Sequence, residues 1–322
     1  MRALRISGPR QVELVEAPVP TPRADEILVR VAFAGICATD RKLARRGSDV
    51  PRIPGHETAG WLEDGTPVGI HPDIGCDRCR HCRAGFENRC RQRISVGLDR
   101  DGGMADWVAV PGTHVLPVDD LDLEVAALLE PLACCLHASA LLDVRDGSAA
   151  LVVGAGPMGI LGMWSLQSEG ARVAVCETSG SRRQAATELG ADAVLDPDED
   201  LVAVLGAAPS YAIVTAPGPQ ALGWALDRME PGGTVHVFAG SPGVNAVDAN
   251  IVHYRHLALV GSTGSTMRDY RRALSLVRAG TLPLSRLPRS VVTLEEAAAA
   301  LREPDVTSDT RSIIEMGRSS EG

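Results

Sequence analysis

The sequence predicts an α/β protein of two domains, one β-rich with loops that carry metal ligands, the other a doubly wound parallel sheet with crossover helices. Three observations carry this. At 322 residues the chain exceeds what one hydrophobic core usually serves. Its first third reads as short strands with turn punctuation and shows no long helical periodicity before residue 120. From Leu123 onward, apolar strands and amphipathic helices alternate, which is the pattern of a parallel sheet.

The elements follow in order. Met1 to Leu4 opens as a strand, Gln11 to Glu16 alternates in the half-buried pattern, and Pro18, Pro20 and Pro22 mark an exposed connection. Glu26 to Ala34 is a clear strand. Glu124 to Leu142 is an Ala/Leu helix, Ala149 to Val153 an apolar strand running into glycines, Pro157 to Glu169 a helix and Arg172 to Cys176 a strand. Alternation continues through Ala212 to Thr215, Gln220 to Met229, Thr234 to Ala239 and Leu257 to Gly261. The helix Met267 to Ala279 and a last strand, Arg311 to Ile314, are too little to fold alone.

Composition narrows the function. Hydrophobic content of 45% with 23% charged residues suits a globular enzyme. A net charge of −9 and a pI near 5.4 argue against nucleic acid or an anionic membrane as partner. The start of the chain has no apolar signal core, and the apolar stretch Leu151 to Trp164 is broken by glycines and too short to span a bilayer. A cytoplasmic location with reduced thiols is expected.

Cys76, Cys79, Cys82 and Cys90 have the spacing of a structural zinc site, in a segment rich in Arg and Asp with almost no large apolar residue. The metal would hold the shape of that segment. A disulfide pair is the alternative. Gly154, Gly156 and Gly159 fit G-x-G-x-x-G after a strand and at the start of a helix, so a pyrophosphate can lie against the backbone there, beside Pro157 and Met158. Glu177, at the end of the next strand, can accept hydrogen bonds from ribose hydroxyls and favours NAD; Arg182 and Arg183 leave NADP open. Cys37, His56, Glu57 and Glu130 are the mixed ligand kinds of an open catalytic zinc. Singly, they also read as a buried thiol, a satisfied core histidine and a carboxylate paired with an arginine.

The motifs Gly35-Ile36-Cys37-Ala38-Thr39-Asp40, Gly55-His56-Glu57-Thr58-Ala59-Gly60, the four cysteines, Glu130-Pro131-Leu132 and Gly154-Ala155-Gly156-Pro157-Met158-Gly159 follow one another in an order that resembles the zinc-dependent medium-chain dehydrogenase/reductase family. The resemblance runs from the first strand to Arg311-Ser312-Ile313-Ile314. It implies a GroES-like catalytic domain over residues 1–120 and 262–322, a Rossmann domain over 121–261, and a homodimer or homotetramer. Cys37 and His56 would bind the catalytic zinc, with Glu57 and Glu130 exchanging as third ligand or one acting through water.

By the same resemblance Thr39 takes the alcohol proton and Asp40 orients. Thr39 also reads as an N-cap of the following helical turn. Lys42, the only lysine of the chain, stands where relatives often carry a histidine. Lysine holds an anion better than it shuttles protons, so it is expected on the cofactor ribose or phosphate, or on a substrate hydroxyl or carboxylate, unless it is a solvated surface residue. The implied activity is hydride transfer between NAD(P) and a secondary alcohol, with the Glu57 and Glu130 pair leaning toward a polyol, sugar or cyclitol. Two departures are Ala38 for the usual glycine and a shorter run from Gly60 to the knuckle. A zinc-free quinone or enoyl reductase and a non-catalytic NAD-binding scaffold are the competing readings. Cys134, Cys135, His137, Cys176 and Trp107 read as packing residues, and His71, His81 and His114 as surface or loop residues.

Overall fold

A computed structural model describes residues 1–240, 246–305 and 309–317. The expected domain span to residue 322 therefore includes positions outside the described residues, 306–308 and 318–322. The chain divides into two compact units, one of Met1–Glu130, Gly264–Arg278 and the part from Pro288, the other of Pro131–Thr263 and Ala279–Leu287.

The first unit is built on one long strand, Glu26–Gly35. It pairs antiparallel with Glu57–Trp61, Trp107–Pro111 and Arg311–Glu315, in a seven-stranded sheet completed by Pro67–Ile70, Val115–Pro117 and Arg289–Val292. The hairpin Arg2–Gly8 with Gln11–Glu16 covers it. Leu294, Ala297 and Leu301 of the helix Leu294–Arg302 pack into the core formed by Leu4, Ile6, Val29, Val31 and Ile70. At the end of the long strand Gly35 is paired both to Glu57 and to Ile313. A Cβ at Gly35 would lie 2.2 Å from Glu57 Oε2, so only glycine lets these strands bring that carboxylate inward.

The second unit is a six-stranded parallel sheet in the order Ala193–Leu195, Arg172–Cys176, Ala149–Val153, Tyr211–Val214, Thr234–Val237, Ala258–Gly261. Numbered within the sheet that is 3-2-1-4-5-6, the Rossmann order, with the switch point beside Ala149–Val153. The strands Ala149–Val153, Arg172–Cys176 and Tyr211–Val214 are mostly buried apolar runs, as expected where helices cover both faces of a parallel sheet.

Differences from the sequence reading have local causes. A nine-residue helix, Ala38–Arg46, stands in the first third; it is too short for its periodicity to register and buries only Asp40, Leu43 and Ala44. The Ala/Leu helix is divided into Leu123–Ala126 and Leu129–Leu142. The stretch Leu123–Leu142 has a mean hydropathy of 1.8, long and apolar enough for a membrane, yet 83% of it is buried inside the protein. Leu123–Ala126 packs on the strands of the first unit, which places it there and not with the parallel sheet. Ala279–Leu287 goes the other way, anchored by Arg286 donating to the Glu188 carbonyl at 2.7 Å.

Candidate active site

Cys37 caps the helix Ala38–Arg46 with extended backbone, and the carboxylate of Asp40, in the first turn, accepts the Cys37 N–H at 2.8 Å. Asp40 is fully buried, and its other oxygen lies 3.5 Å from His56 Nδ1. Asp40 thus holds the loop that presents Cys37 and lies beside the Nδ1 side of His56. Thr39 is the second residue of the helix and not its cap, so capping does not account for it.

Cys37, His56 and Glu57 each offer a ligand atom, and these atoms lie within 4.8 Å of one another. Burial pushes the Cys37 thiol up, but the charges of His56 and Arg311 outweigh it and bring it down to about 6. Burial works against a charged His56, and the Asp40 and Cys37 charges outweigh that too, raising its pKa well above the ordinary value. A low-pKa thiolate beside a buried imidazole, both within 4.8 Å of a carboxylate oxygen, is a donor set that fits a divalent cation, which would displace the imidazole proton.

The structure adds Arg311, which sequence reasoning took only as part of a strand. Its Nε donates to Glu57 Oε2 at 2.9 Å and its terminal nitrogen meets Oε1. Glu57, fully buried, is thus held by a buried guanidinium, the arginine pairing that had stood as its bland alternative. Glu130 is buried too, at the start of Leu129–Leu142, but is outside the group within 4.8 Å. Lys42 is exposed on the helix that Cys37 caps. No local pattern announces Arg311; only the register of the last strand beside Gly35 does.

The four knuckle cysteines converge within 4.8 Å, with Cys79 and Cys82 sulfurs 3.6 Å apart and Cys76 and Cys82 sulfurs 4.0 Å apart. Those separations exclude a disulfide, and all eight cysteines are free. They match the edge of a tetrahedron with Zn–S bonds of about 2.3 Å, which is about 3.8 Å. N–H groups of Arg78 and Cys79 bring Cys76 down to about 6, whereas burial and the Cys79 neighbour push Cys82 up to about 12. Four thiols that cannot ionise together fit one dication.

In the second unit, Gly154 has φ +101° and Gly156 caps Pro157–Ser168, with Pro157 at the first helical position and Met158 next. A Cβ on Gly159 would be 1.8 Å from the Gly154 carbonyl oxygen, while one on Gly156 would meet nothing within 4 Å. The first glycine contact is helix against strand; the second leaves the backbone open to a ligand. Glu177 is buried and accepts Ala155 N–H at 2.8 Å and Ser179 N–H at 3.0 Å. Burial pushes this carboxyl up, but these bonds and Arg182 leave it below its ordinary value. Arg182 lies 3.8 Å from it, whereas Arg183 is committed to the Glu177 and Thr178 carbonyls and to Asp196.

The remaining histidines were misread in part. His71 is fully buried, its ring edge-on to Tyr270 at 5.6 Å and stacked on His114 at 5.9 Å. A single histidine after a strand gives no sign of the aromatic that returns to it from a distant helix.

Residues 23–120 match the model of the alcohol dehydrogenase GroES-like domain, and residues 157–279 that of the zinc-binding dehydrogenases. L-galactonate-5-dehydrogenase of Escherichia coli K12 is 31% identical over 304 residues, covering 88% of each chain. L-threonine 3-dehydrogenase of Pyrococcus abyssi is 32% identical over 298 residues, 84% of this chain and 85% of its own. An NADP-bound structure from Sinorhizobium meliloti 1021, described only as a zinc-binding dehydrogenase, superposes with a TM-score of 0.89 at 29% identity, covering 97% and 98%. With both units matched and relatives aligned along most of their length, the chain belongs to the zinc-dependent medium-chain dehydrogenase/reductase family, as an NAD(P)-dependent alcohol or polyol dehydrogenase.

Proposed function

We propose that the protein oxidises a secondary hydroxyl of a polyol, sugar or cyclitol with NAD, at a metal site built on Cys37 and His56. The observation that carries this reading is the convergence of a half-buried thiol with a buried imidazole and a buried carboxylate within 4.8 Å. A zinc held there with an open position would acidify the alcohol oxygen, and a bound nicotinamide would be the hydride acceptor. Cys37 supplies a thiolate and His56 an imidazole whose orientation Asp40 sets. Glu57 converges with them but is held by Arg311, so the third position is shared by Glu57 and Glu130, the two exchanging or one acting through water. Thr39 takes the alcohol proton, and Lys42, on the same helix, contacts an anionic or hydroxyl group.

The presence of both Glu57 and Glu130 in the chain supports a polyhydroxylated substrate, and one relative is named for L-galactonate. Gly154, Gly156, Pro157, Met158 and Gly159 hold the pyrophosphate and Glu177 the ribose. The negative Glu177, with Arg183 spoken for, supports NAD over NADP; Arg182 leaves a route by which a 2′-phosphate would be met. The outer strand of the parallel sheet, Ala258–Gly261, is largely exposed, with Leu259 38% exposed, which supports a homodimer or homotetramer over a monomer. Eight free cysteines support a cytoplasmic setting.

The test is NADH formation by zinc-loaded protein over a panel of polyols, aldonates, cyclitols and simple alcohols. Turnover concentrated among the polyhydroxylated substrates supports the reading. No turnover of any alcohol with both metals present favours the scaffold; reduction of quinones or enoyl substrates alone favours the reductase.

A further inference from the structure

We propose that Thr215 is a positioning residue for the cofactor: its hydroxyl, donated to the Gly154 carbonyl, fixes the peptide on which the pyrophosphate loop turns. The glycine turn leaves the strand Ala149–Val153 between two neighbours, Arg172–Cys176 and Tyr211–Val214. Thr215 is the first residue past the second of these. Its Oγ1 lies 3.0 Å from the Val153 carbonyl oxygen and 3.2 Å from that of Gly154. The Val153 carbonyl already accepts the N–H groups of Thr215 and Ala216, each at 2.9 Å, so the hydroxyl adds little there and more at Gly154.

The Gly154 carbonyl and the Ala155 N–H belong to one peptide, and Glu177 accepts that N–H at 2.8 Å. One peptide plane is therefore held at its oxygen from one neighbouring strand and at its nitrogen from the other. It needs holding, because Gly154, at φ +101°, has no Cβ to restrict its rotation. A Cβ on Gly154 would lie 2.9 Å from Thr215 Oγ1, and one on Gly159 3.2 Å from it. The hydroxyl thus sits where the turn and the helix Pro157–Ser168 close on each other. The set of that peptide aims the Gly156 backbone and the first N–H groups of the helix, which lack partners within the helix and are the donors offered to a phosphate.

The inference rests on the glycine turn being the pyrophosphate site. The test compares Thr215→Val and Thr215→Ala, which lack the donor, with Thr215→Ser, which keeps it, and with Gly156→Val. Kd is measured well below each variant's melting temperature, by calorimetry for NAD and ADP-ribose and by competition for adenosine. Thr215→Val and Thr215→Ala are expected to raise Kd for NAD and ADP-ribose about tenfold, with adenosine, which has no phosphate, within about twofold and kcat at saturating NAD nearly unchanged. Thr215→Ser should bind all three as the parent does. NAD affinity within about twofold of the parent in both hydroxyl-free variants, an equal loss for adenosine, or a Thr215→Ser protein as weak as Thr215→Val would overturn the proposal. Gly156→Val tests the reading beneath it, because a Cβ there meets no protein atom within 4 Å and a side chain would enter only the ligand's space. If NAD affinity survives that change, the pyrophosphate reading fails, and this inference with it.

Discussion

Glu177 accepts the N–H of Ala155, inside the glycine turn, at 2.8 Å. The carboxylate at the end of one strand thereby braces the loop that follows its neighbour, and the residue expected to hold ribose also shapes the pyrophosphate loop. Glu177→Ala should raise the KM for both cofactors, and that for NAD more, since the lost charge also repels a 2′-phosphate. Steady-state kinetics with NAD and NADP check this; equal changes would shift ribose recognition to Arg182.

The two metal sites should separate by mutation. Elemental analysis is expected to find two zinc ions per chain, because two sets of ligand atoms each converge within 4.8 Å. Cys37→Ala should abolish turnover while NAD affinity, measured by calorimetry, is retained. Cys82→Ala should lower the melting temperature, since the knuckle has Phe86 as its one large apolar residue and would depend on its metal.

Arg311→Met leaves Glu57 as an uncompensated buried carboxylate and should cost about 3–5 kcal/mol in denaturant unfolding. Adding Glu57→Gln should recover most of it, because the neutral pair no longer demands a guanidinium. A variant as stable as the parent would show that the buried pair does not stabilise the fold.

His71 supplies a pH test with a definite sign. Burial lowers its pKa to about 3 in the folded state, below the ordinary 6.5, so the unfolded chain binds the proton more readily. Its contribution is complete above about pH 6.5 and is lost as pH falls toward 3, amounting to about 2 kcal/mol between pH 6.5 and 5. Unfolding free energies should fall with that slope in the parent and less steeply in His71→Gln. Parallel slopes would mean another group carries the acid limb.

What was legible in the sequence was what short-range pattern encodes. The knuckle's spacing, the glycines after Val153 and the alternation of strand and helix each fit inside one window, and each element appeared within a few residues of its expected place. Arg311 was not legible as a partner of Glu57, because 254 residues separate them and neither side chain belongs to a shared motif. The burial of His71 and Tyr270 was hidden for the same reason, since each is covered by the other's segment. Glu57 and Glu130 were both expected to approach the metal; of the two, Glu57 lies within 4.8 Å of the Cys37 and His56 ligand atoms, where a distant guanidinium holds it.

The separation of Glu57 from Arg311 also has a meaning in time. At about 5–20 residues per second, a ribosome takes roughly 13 to 50 s to pass from one codon to the other. Throughout that interval the strand Glu26–Gly35 lacks its neighbour Arg311–Glu315, and the Glu57 carboxylate has no guanidinium. The four knuckle cysteines, by contrast, leave the exit tunnel as one short loop with every ligand present. The knuckle ligands could thus gather on the nascent chain, whereas the Glu57 carboxylate meets its guanidinium only when the last strand closes the sheet.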